Sequence, residues 1–213
     1  NEIDDCLEVG SILFNVKSRS VLAQQSFLLP VEINNAEKIN NIPAEITRLP
    51  QPLSEAIKYF ESLVRVSNVI VAHNAEFDKK WFGLKKLPQI EKPWICSMDD
   101  ITWPADRQLK TRPSVRDLAL AYGVPVWNAH RALTDCIYLA EVFIRCSELE
   151  KLLIRALEPK VLLRAEISYE DRYLAKNAGF RWNDAIKGAW SRKMSRRDKE
   201  KLDFPVHEVD FHS

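Results

Sequence analysis

Two short segments of the sequence combine residue types that could do chemistry. Residues 73–78 read HNAEFD and residues 130–135 read HRALTD, so each segment begins with a histidine and ends with an aspartate. A carboxylate fixed on a helix suits a metal ligand, and an imidazole beside it suits a general base near neutral pH. The second segment therefore predicts Asp135 as a ligand and His130 as a base.

Helix geometry sets a condition on that pairing. Five helical residues advance about 500°, so His130 and Asp135 would point about 140° apart on one ideal helix. They converge only if His130 lies on the loop before the helix. We expect Asn128 or an adjacent residue to end that loop.

The elements around these segments predict an α/β architecture. Residues 6–16 and 21–29 are apolar-rich and predict a β-hairpin, while residues 53–64 have helical spacing. Residues 68–72 (NVIVA) are too apolar for an exposed strand, which predicts a central one. Residues 94–97 predict another short buried strand.

Helices follow the strands. We expect Asn74 to cap a helix through Trp81 and Leu84. A helix over 114–122 is predicted from the Ser114 cap and the stop at Gly123, and a longer one over 131–149. In open α/β sheets ligands gather outside the carboxyl ends of strands, which is where Asp78 falls.

Composition narrows the class of protein. The 213 residues are 46% hydrophobic and 29% charged, and no apolar run reaches the roughly 18 residues of a membrane-spanning helix. The four cysteines have no spacing typical of metal ligands, either among themselves or with the histidines. We therefore expect a soluble, cytoplasmic protein in a reducing compartment.

A second module is predicted from residue 159 onward. Residues 1–159 carry a net charge of −2 and residues 160–213 a net charge of +3. Residues 161–167 predict a strand, 169–178 a helix and 180–194 a hairpin. Aromatic and cationic side chains on that hairpin predict accessory contacts to single-stranded nucleic acid. They are Arg181, Trp182, Lys187, Trp190, Arg192 and Lys193. The alternative is that both tryptophans form the small core and the charges are merely solvated.

Residues 6–146 resemble the DEDDh group of 3′-to-5′ exonucleases, which includes the epsilon proofreading subunit of DNA polymerase III, ribonuclease T and oligoribonuclease. The hairpin, the 53–64 helix, HNAEFD, WICSM at 94–98 and HRALTD carry the resemblance in order. The resemblance implies a ribonuclease-H-like mixed sheet flanked by helices over residues 1–158, followed by a small α+β module. It also implies two Mg²⁺ or Mn²⁺ ions.

Site roles follow from the same resemblance. Asp135 would bind the nucleophile-side metal, Asp78 the other, and His130 would deprotonate the attacking water. Asn74 would position the terminal nucleotide, and Phe77 would contact a base. The implied partner is a single-stranded 3′ end of DNA or RNA, and the implied products are nucleoside 5′-monophosphates.

One motif of the group is absent from the sequence. The Asp-x-Glu that the group carries on its first strand has no match before Leu7, and Asp198-Lys199-Glu200 suits a solvated helix face. We expect a preceding strand carrying that motif in the natural protein, since two apolar strands would otherwise expose unpaired edges. The 213 residues by themselves should then bind metal poorly and degrade little.

Three functions fit these observations. The first is the metal-dependent exonuclease. The second is an exonuclease-like fold with an incomplete metal site that binds nucleic acid or a protein partner. The third, a polymerase-bound proofreading subunit, would need a polymerase- or clamp-binding segment, and none is visible in the sequence.

Overall fold

The computed structural model describes residues 5–127 and 130–210. Within them the chain forms three small sheets surrounded by helices. The strands are β1 (Glu8–Asn15), β2 (Ser20–Leu28), β3 (Ile70–Ala72), β4 (Trp94–Cys96), β5 (Lys160–Ala165), β6 (Arg181–Trp182), β7 (Trp190–Ser195) and β8 (Val206–Val209). The helices are α1 (Glu37–Asn40), α2 (Ala44–Thr47), α3 (Leu53–Val66), α4 (Ala75–Lys79), α5 (Val115–Ala121), α6 (Ala132–Arg145), α7 (Leu149–Ala156), α8 (Arg172–Asn177) and α9 (Arg196–Lys199). A 3₁₀ turn covers Ala105–Arg107.

The predicted hairpin is confirmed as β1 and β2, which pair antiparallel. Alternate residues of a strand point to opposite faces, and here each face has a helix to cover it. Val9 belongs to the same buried cluster as Phe60 of α3, whereas Phe14 packs against Phe143 of α6. A Cβ on Gly10 would lie 2.3 Å from the Leu133 backbone nitrogen, so β1 and α6 approach closely only because this residue is glycine.

Strands β3 and β4 are parallel, with Ala72 opposite Cys96, so both end at the same edge. Among the described residues β3 pairs with β4 alone. The prediction of a central strand therefore differs from the structure, in which β3 is half-buried and has one neighbour. The described hairpin and this parallel pair form separate sheets rather than one continuous mixed sheet.

Helices α5, α6 and α7 enclose the largest core, which includes Ile95 of β4 and Tyr138 of α6. The predicted Ser114 cap is confirmed as a capping box, in which the Ser114 hydroxyl accepts from Asp117 N–H and the Asp117 carboxylate accepts in return. The predicted long helix ends at Arg145, and α7 begins at Leu149 after a break.

The C-terminal module is a four-stranded sheet in the order β6-β7-β5-β8, with α8 packed on it. Its core includes Leu163, Ala175, Phe180 and Phe204. The strand, the helix and the hairpin predicted for this part of the chain are all present, while β8 was not predicted. Within the two described ranges, we find no helix with both the length and the apolar character needed to cross a membrane.

Polar contacts fasten the module to the segment after β4. Lys160 pairs with Asp100 at 2.8 Å, and the Thr111 hydroxyl donates to the Asn177 carbonyl at 2.5 Å. Asp100 also accepts from the Cys96 backbone N–H at 2.7 Å. The module is thereby tied to the end of the strand that lies beside β3.

Candidate functional site

The first segment, residues 73–78, is fixed through His73. Nε2 of His73 lies 3.0 Å from the Pro113 carbonyl, and Nδ1 lies 2.9 Å from the Ser97 hydroxyl. Because a carbonyl only accepts, Nε2 carries the proton and Nδ1 accepts from Ser97. Burial lowers the pKa of His73. The imidazole is therefore a neutral link between the ends of β3 and β4 and the loop before α5.

Asn74 begins the short helix α4 in an unusual conformation. Its φ is +70°, in the left-handed region that asparagine tolerates better than most residues. Its side chain makes no capping bond, contrary to the prediction, and is exposed. The Ala75 N–H instead lies 3.4 Å from the Cys96 sulfur. The helix ends at Lys79 and does not extend to Leu84 as predicted.

Asp78 lies in this helix and is half-buried. Burial raises the pKa of its carboxyl to about 6, although its own backbone and Lys80 act in the opposite direction. Desolvation is therefore the largest of the effects on this carboxyl.

The second segment, residues 130–135, turns sharply before α6. The described residues resume at His130, which is exposed, has φ of +69° and lies outside α6. This is the placement that convergence with Asp135 requires, while the loop end predicted at Asn128 lies outside the described residues. Burial raises the pKa of Asp135, and the imidazole and backbone N–H of His130 partly offset that effect. Both groups that lower the pKa of Asp135 thus belong to His130.

Glu8 of β1 holds this turn and was not predicted from the sequence. Its side chain is only 8% exposed and accepts from Arg131 Nε at 3.1 Å and Nη2 at 3.0 Å. It also accepts from the Ala132 N–H and the Ser26 hydroxyl, each at 2.9 Å. Burial acts to raise the pKa of Glu8, but these donors outweigh it and the net effect is a lowered pKa. The one sign of this role in the sequence is that Glu8 is an acidic residue within an apolar-rich strand.

The charges of the two aspartates act on the same cysteine. Burial raises the pKa of the Cys136 thiol to about 12, and the charges of Asp78, Asp135 and Glu8 contribute to the increase. Asp78, in the first segment, thus acts electrostatically on the residue that follows Asp135 in α6. Among residues 5–127 and 130–210, however, no three His, Cys, Asp or Glu side chains are arranged to hold a metal ion.

An aromatic surface adjoins Asp78. Phe77 is 54% exposed and lies edge-on to Trp81, with ring centroids 6.1 Å apart. The Lys80 ammonium sits 4.3 Å from the Phe77 ring centroid and 4.4 Å from that of Trp81. This combination of aromatic faces and a cation can contact a base and a phosphate.

The predicted accessory residues divide into two groups. Arg181 pairs with Asp184 at 2.7 Å, Trp182 is 58% exposed, and Trp190 is half-buried against it with centroids 6.0 Å apart. Lys187 and Lys193 are exposed. These five residues lie on or next to the β6–β7 hairpin.

Arg192 differs from the other predicted accessory residues. Its guanidinium donates to the Ala178 carbonyl and, at 3.3 Å, to the Asp99 carbonyl. Burial lowers its pKa. Its two Nη donors are directed at backbone oxygens and link the module to the segment after β4.

Sequence comparison finds distant relatives among DNA polymerase III proteins. The chain is 27% identical over 161 residues to "DNA polymerase III PolC-type" of Thermotoga petrophila, a match that covers 70% of this chain. The Thermotoga maritima protein of the same name matches equally. "DNA polymerase III subunit epsilon" of Treponema pallidum is 28% identical over 154 residues, which are 67% of this chain and 68% of that protein. The chain is thus distantly homologous to these polymerase III proteins.

The matches cover only part of the PolC-type relatives, and a separate family model matches the C-terminal part of the chain. The chain spans 11% of the length of the PolC-type proteins. Residues 161–209 match the family described as "Domain of unknown function (DUF8626)". These residues fall inside the second module, whose predicted boundary at 159 stays a prediction. No solved structure matches the chain significantly.

Proposed function

We propose that this chain belongs to a metal-dependent 3′-to-5′ exonuclease that hydrolyses the terminal phosphodiester of DNA or RNA. One observation carries the proposal: the charges of Asp78 and Asp135, which come from two separate segments, both raise the pKa of the Cys136 thiol, and burial raises the pKa of each carboxyl. The distant similarity to polymerase III proteins supports it, as does the order in which the two motifs occur. The expected products are nucleoside 5′-monophosphates.

The donor chemistry fits Mg²⁺ or Mn²⁺. Asp78 and Asp135 supply hard carboxylate oxygens, and Mg²⁺ is commonly bound through one or two carboxylates, with water and substrate phosphate completing its shell. When bound, two such ions stabilise the charge that develops on the attacking and leaving oxygens.

The remaining side chains take separate roles in this proposal. His130 is exposed and next to Asp135, where it can take the proton of the attacking water. Asn74 presents an exposed amide that can hold the terminal nucleotide. Phe77 offers an aromatic face to the base, and Lys80, above the same ring, attracts the phosphate.

The test is digestion of a 5′-labelled oligonucleotide with Mg²⁺ or Mn²⁺. We expect a ladder shortening from the 3′ end, slow because the proposed site has only two carboxylate ligands, Asp78 and Asp135. Asp78→Asn and Asp135→Asn should each reduce the rate at least 100-fold, while Asp106→Asn on the exposed 3₁₀ turn should leave it unchanged. Equal rates in all four proteins would overturn the site assignment.

A second candidate function is binding without hydrolysis. It is favoured by the finding that no three potential ligands are grouped in the described part of the chain. A protein that retains the oligonucleotide in a mobility-shift assay but releases no mononucleotide with either metal would establish this function instead.

We also propose that the β6–β7 hairpin adds contacts to the strand, through Trp182, Lys187 and Lys193. Lys187→Ala should lower the slope of log affinity against log salt by about 0.7, the value for one phosphate contact on a single strand. Arg192→Met is the matched control and should leave that slope unchanged, because Arg192 is directed into the protein. An unchanged slope for Lys187→Ala and Lys193→Ala would remove the hairpin from the binding surface.

A further inference from the structure

We propose that Glu8 is a positioning residue that fixes the turn between His130 and Asp135 through Arg131 and the first N–H of α6. The proposal rests on the proposed function for its catalytic meaning. Its geometric content, however, can be measured whether or not the chain is a nuclease.

The contacts of Glu8 are concentrated on one turn. Both carboxylate oxygens face Arg131, which is the residue between His130 and the helix, and one oxygen also accepts from Ala132. A planar guanidinium bound through two nitrogens is held in orientation as well as position. Glu8 therefore holds two groups of this turn, the Arg131 side chain and the Ala132 backbone N–H.

This fixed point lies between the two proposed functional groups. His130 directly precedes Arg131, and the Asp135 N–H donates to the Arg131 carbonyl at 3.0 Å. Movement of Arg131 would change the direction of the His130 imidazole and loosen the first turn that carries Asp135. Glu8 itself has donors on both oxygens, so it is occupied as an anchor and is distinct from the proposed metal ligands.

The close approach of β1 to α6 makes the anchor rigid. Glu8 and Gly10 lie on the same face of β1, and Gly10 lets the strand approach the backbone of Ala132 and Leu133. The Cys136 thiol lies 3.5 Å from the Gly10 carbonyl. The carboxylate thus reaches Arg131 from a strand that is itself fixed against the helix.

The test compares Glu8→Gln with Glu141→Gln by amide hydrogen exchange of the full chain. Glu141 is a matched control because it forms an ion pair with Arg145 on the same helix, remote from the turn. In Glu8→Gln we expect exchange at Ala132 and Asp135 to accelerate about tenfold, since a bond to a charged group is lost. Amides in the second half of α6 should be unchanged, and Glu141→Gln should leave the turn unchanged.

The activity measurement separates positioning from general stability. Glu8→Gln should lower kcat about tenfold and leave the KM for the oligonucleotide within about twofold, because the binding surface is intact. Arg131→Lys, which keeps the charge but loses the two-nitrogen contact, should give the same exchange pattern. Uniform acceleration along all of α6, or no change at Asp135, would overturn the proposal. An inactive wild type would count against the proposed function alone, because the exchange result does not depend on turnover.

Discussion

The two segments that carry the proposed ligands begin alike and are held differently. Each has a non-glycine residue with positive φ just before a helix, Asn74 at +70° and His130 at +69°. The first segment is held by hydrogen bonds of the neutral His73 imidazole and by the contact of Ala75 N–H with the Cys96 sulfur. The second is held by the buried carboxylate of Glu8. We conclude that the first should respond mainly to protonation of its aspartate and the second to loss of its ionic anchor.

The electrostatics of the two aspartates follow this division. Asp78 has Lys80 as its compensating cation, and burial raises its pKa to about 6. Asp135 is offset by His130, which lies in the same turn. If both carboxylates bind metal, the first segment supplies the more desolvated oxygens and the second supplies both an oxygen and a base. The two proposed ligands therefore differ in their desolvation before metal or substrate is bound.

The largest expected effect comes from Gly10→Ala, which forces β1 away from α6. The new Cβ would meet backbone atoms of Ala132 and Leu133 at less than 3 Å, and backbone cannot move aside as a side chain can. We expect the free energy of unfolding to fall by about 3 kcal/mol, with faster exchange in the second segment first. Gly188→Ala is the control: it has positive φ but open space, so about 1 kcal/mol is expected. Equal losses in the two variants would show that the contact is not tight.

Next in size is the pH dependence of Asp78→Asn. The folded-state pKa of Asp78 is raised from 3.8 to about 6, so the folded chain binds more protons than the unfolded chain between these values. Stability from this group is therefore present below about pH 4 and lost as pH rises to about 6. The gap corresponds to about 3 kcal/mol, which partial exposure reduces to about 2. Asp78→Asn should remove that decline and be more stable than wild type at pH 8.

Urea unfolding at several pH values measures this effect, and His73 must be considered in the same experiment. Burial lowers the pKa of His73, so its contribution to stability is lost as pH falls below about 6.5, opposite in sign to that of Asp78. In Asp78→Asn only the effect of His73 remains, so the free energy of unfolding should rise with pH in this range. A profile identical to wild type would mean that Asp78 is solvated and that the contrast between the two segments is wrong.

A smaller effect should follow from Arg192→Met, which tests whether the C-terminal module supports the first segment. Arg192 donates to the Asp99 carbonyl, three residues after Cys96, whose sulfur contacts the start of α4. The lost bonds are partly offset because a costly buried charge is also removed, so about 1 kcal/mol is expected. Exchange at Ala75 should accelerate while exchange at Ala132 is unchanged. Acceleration at Ala132 alone would show that the module supports the second segment and not the first.

Local signals explain which elements could be predicted. The helix over 115–121 follows from the Ser114 cap and the stop at Gly123, and the hairpin of β1 and β2 follows from its apolar strands around a polar turn. The break between α6 and α7 has no proline or glycine to mark it, so residues 131–149 were predicted as one helix.

Contacts between distant residues explain the rest. Glu8 and Arg131 are separated by 123 positions, and Arg192 and Asp99 by 93, so no local pattern relates them. The sequence could name the histidines and aspartates of the two segments, since each motif is contiguous. It could not show that β1 supplies the anchor of the second segment, because that depends on tertiary packing at Gly10.

The smallest expected effect is that of Ser26→Ala, which removes the neutral donor from Glu8. The Ser26 hydroxyl lies 2.9 Å from one carboxylate oxygen and is exposed, so water can replace it. We expect a loss of about 0.5 kcal/mol in the free energy of unfolding and unchanged exchange at Asp135. Glu8→Gln, in contrast, removes charge from the contact with Arg131 and should accelerate exchange there. If Ser26→Ala and Glu8→Gln accelerate amide exchange at Asp135 equally, the second segment is held by the hydrogen-bond network as a whole and not by its ion pair. The electrostatic contrast between the two segments would then be wrong.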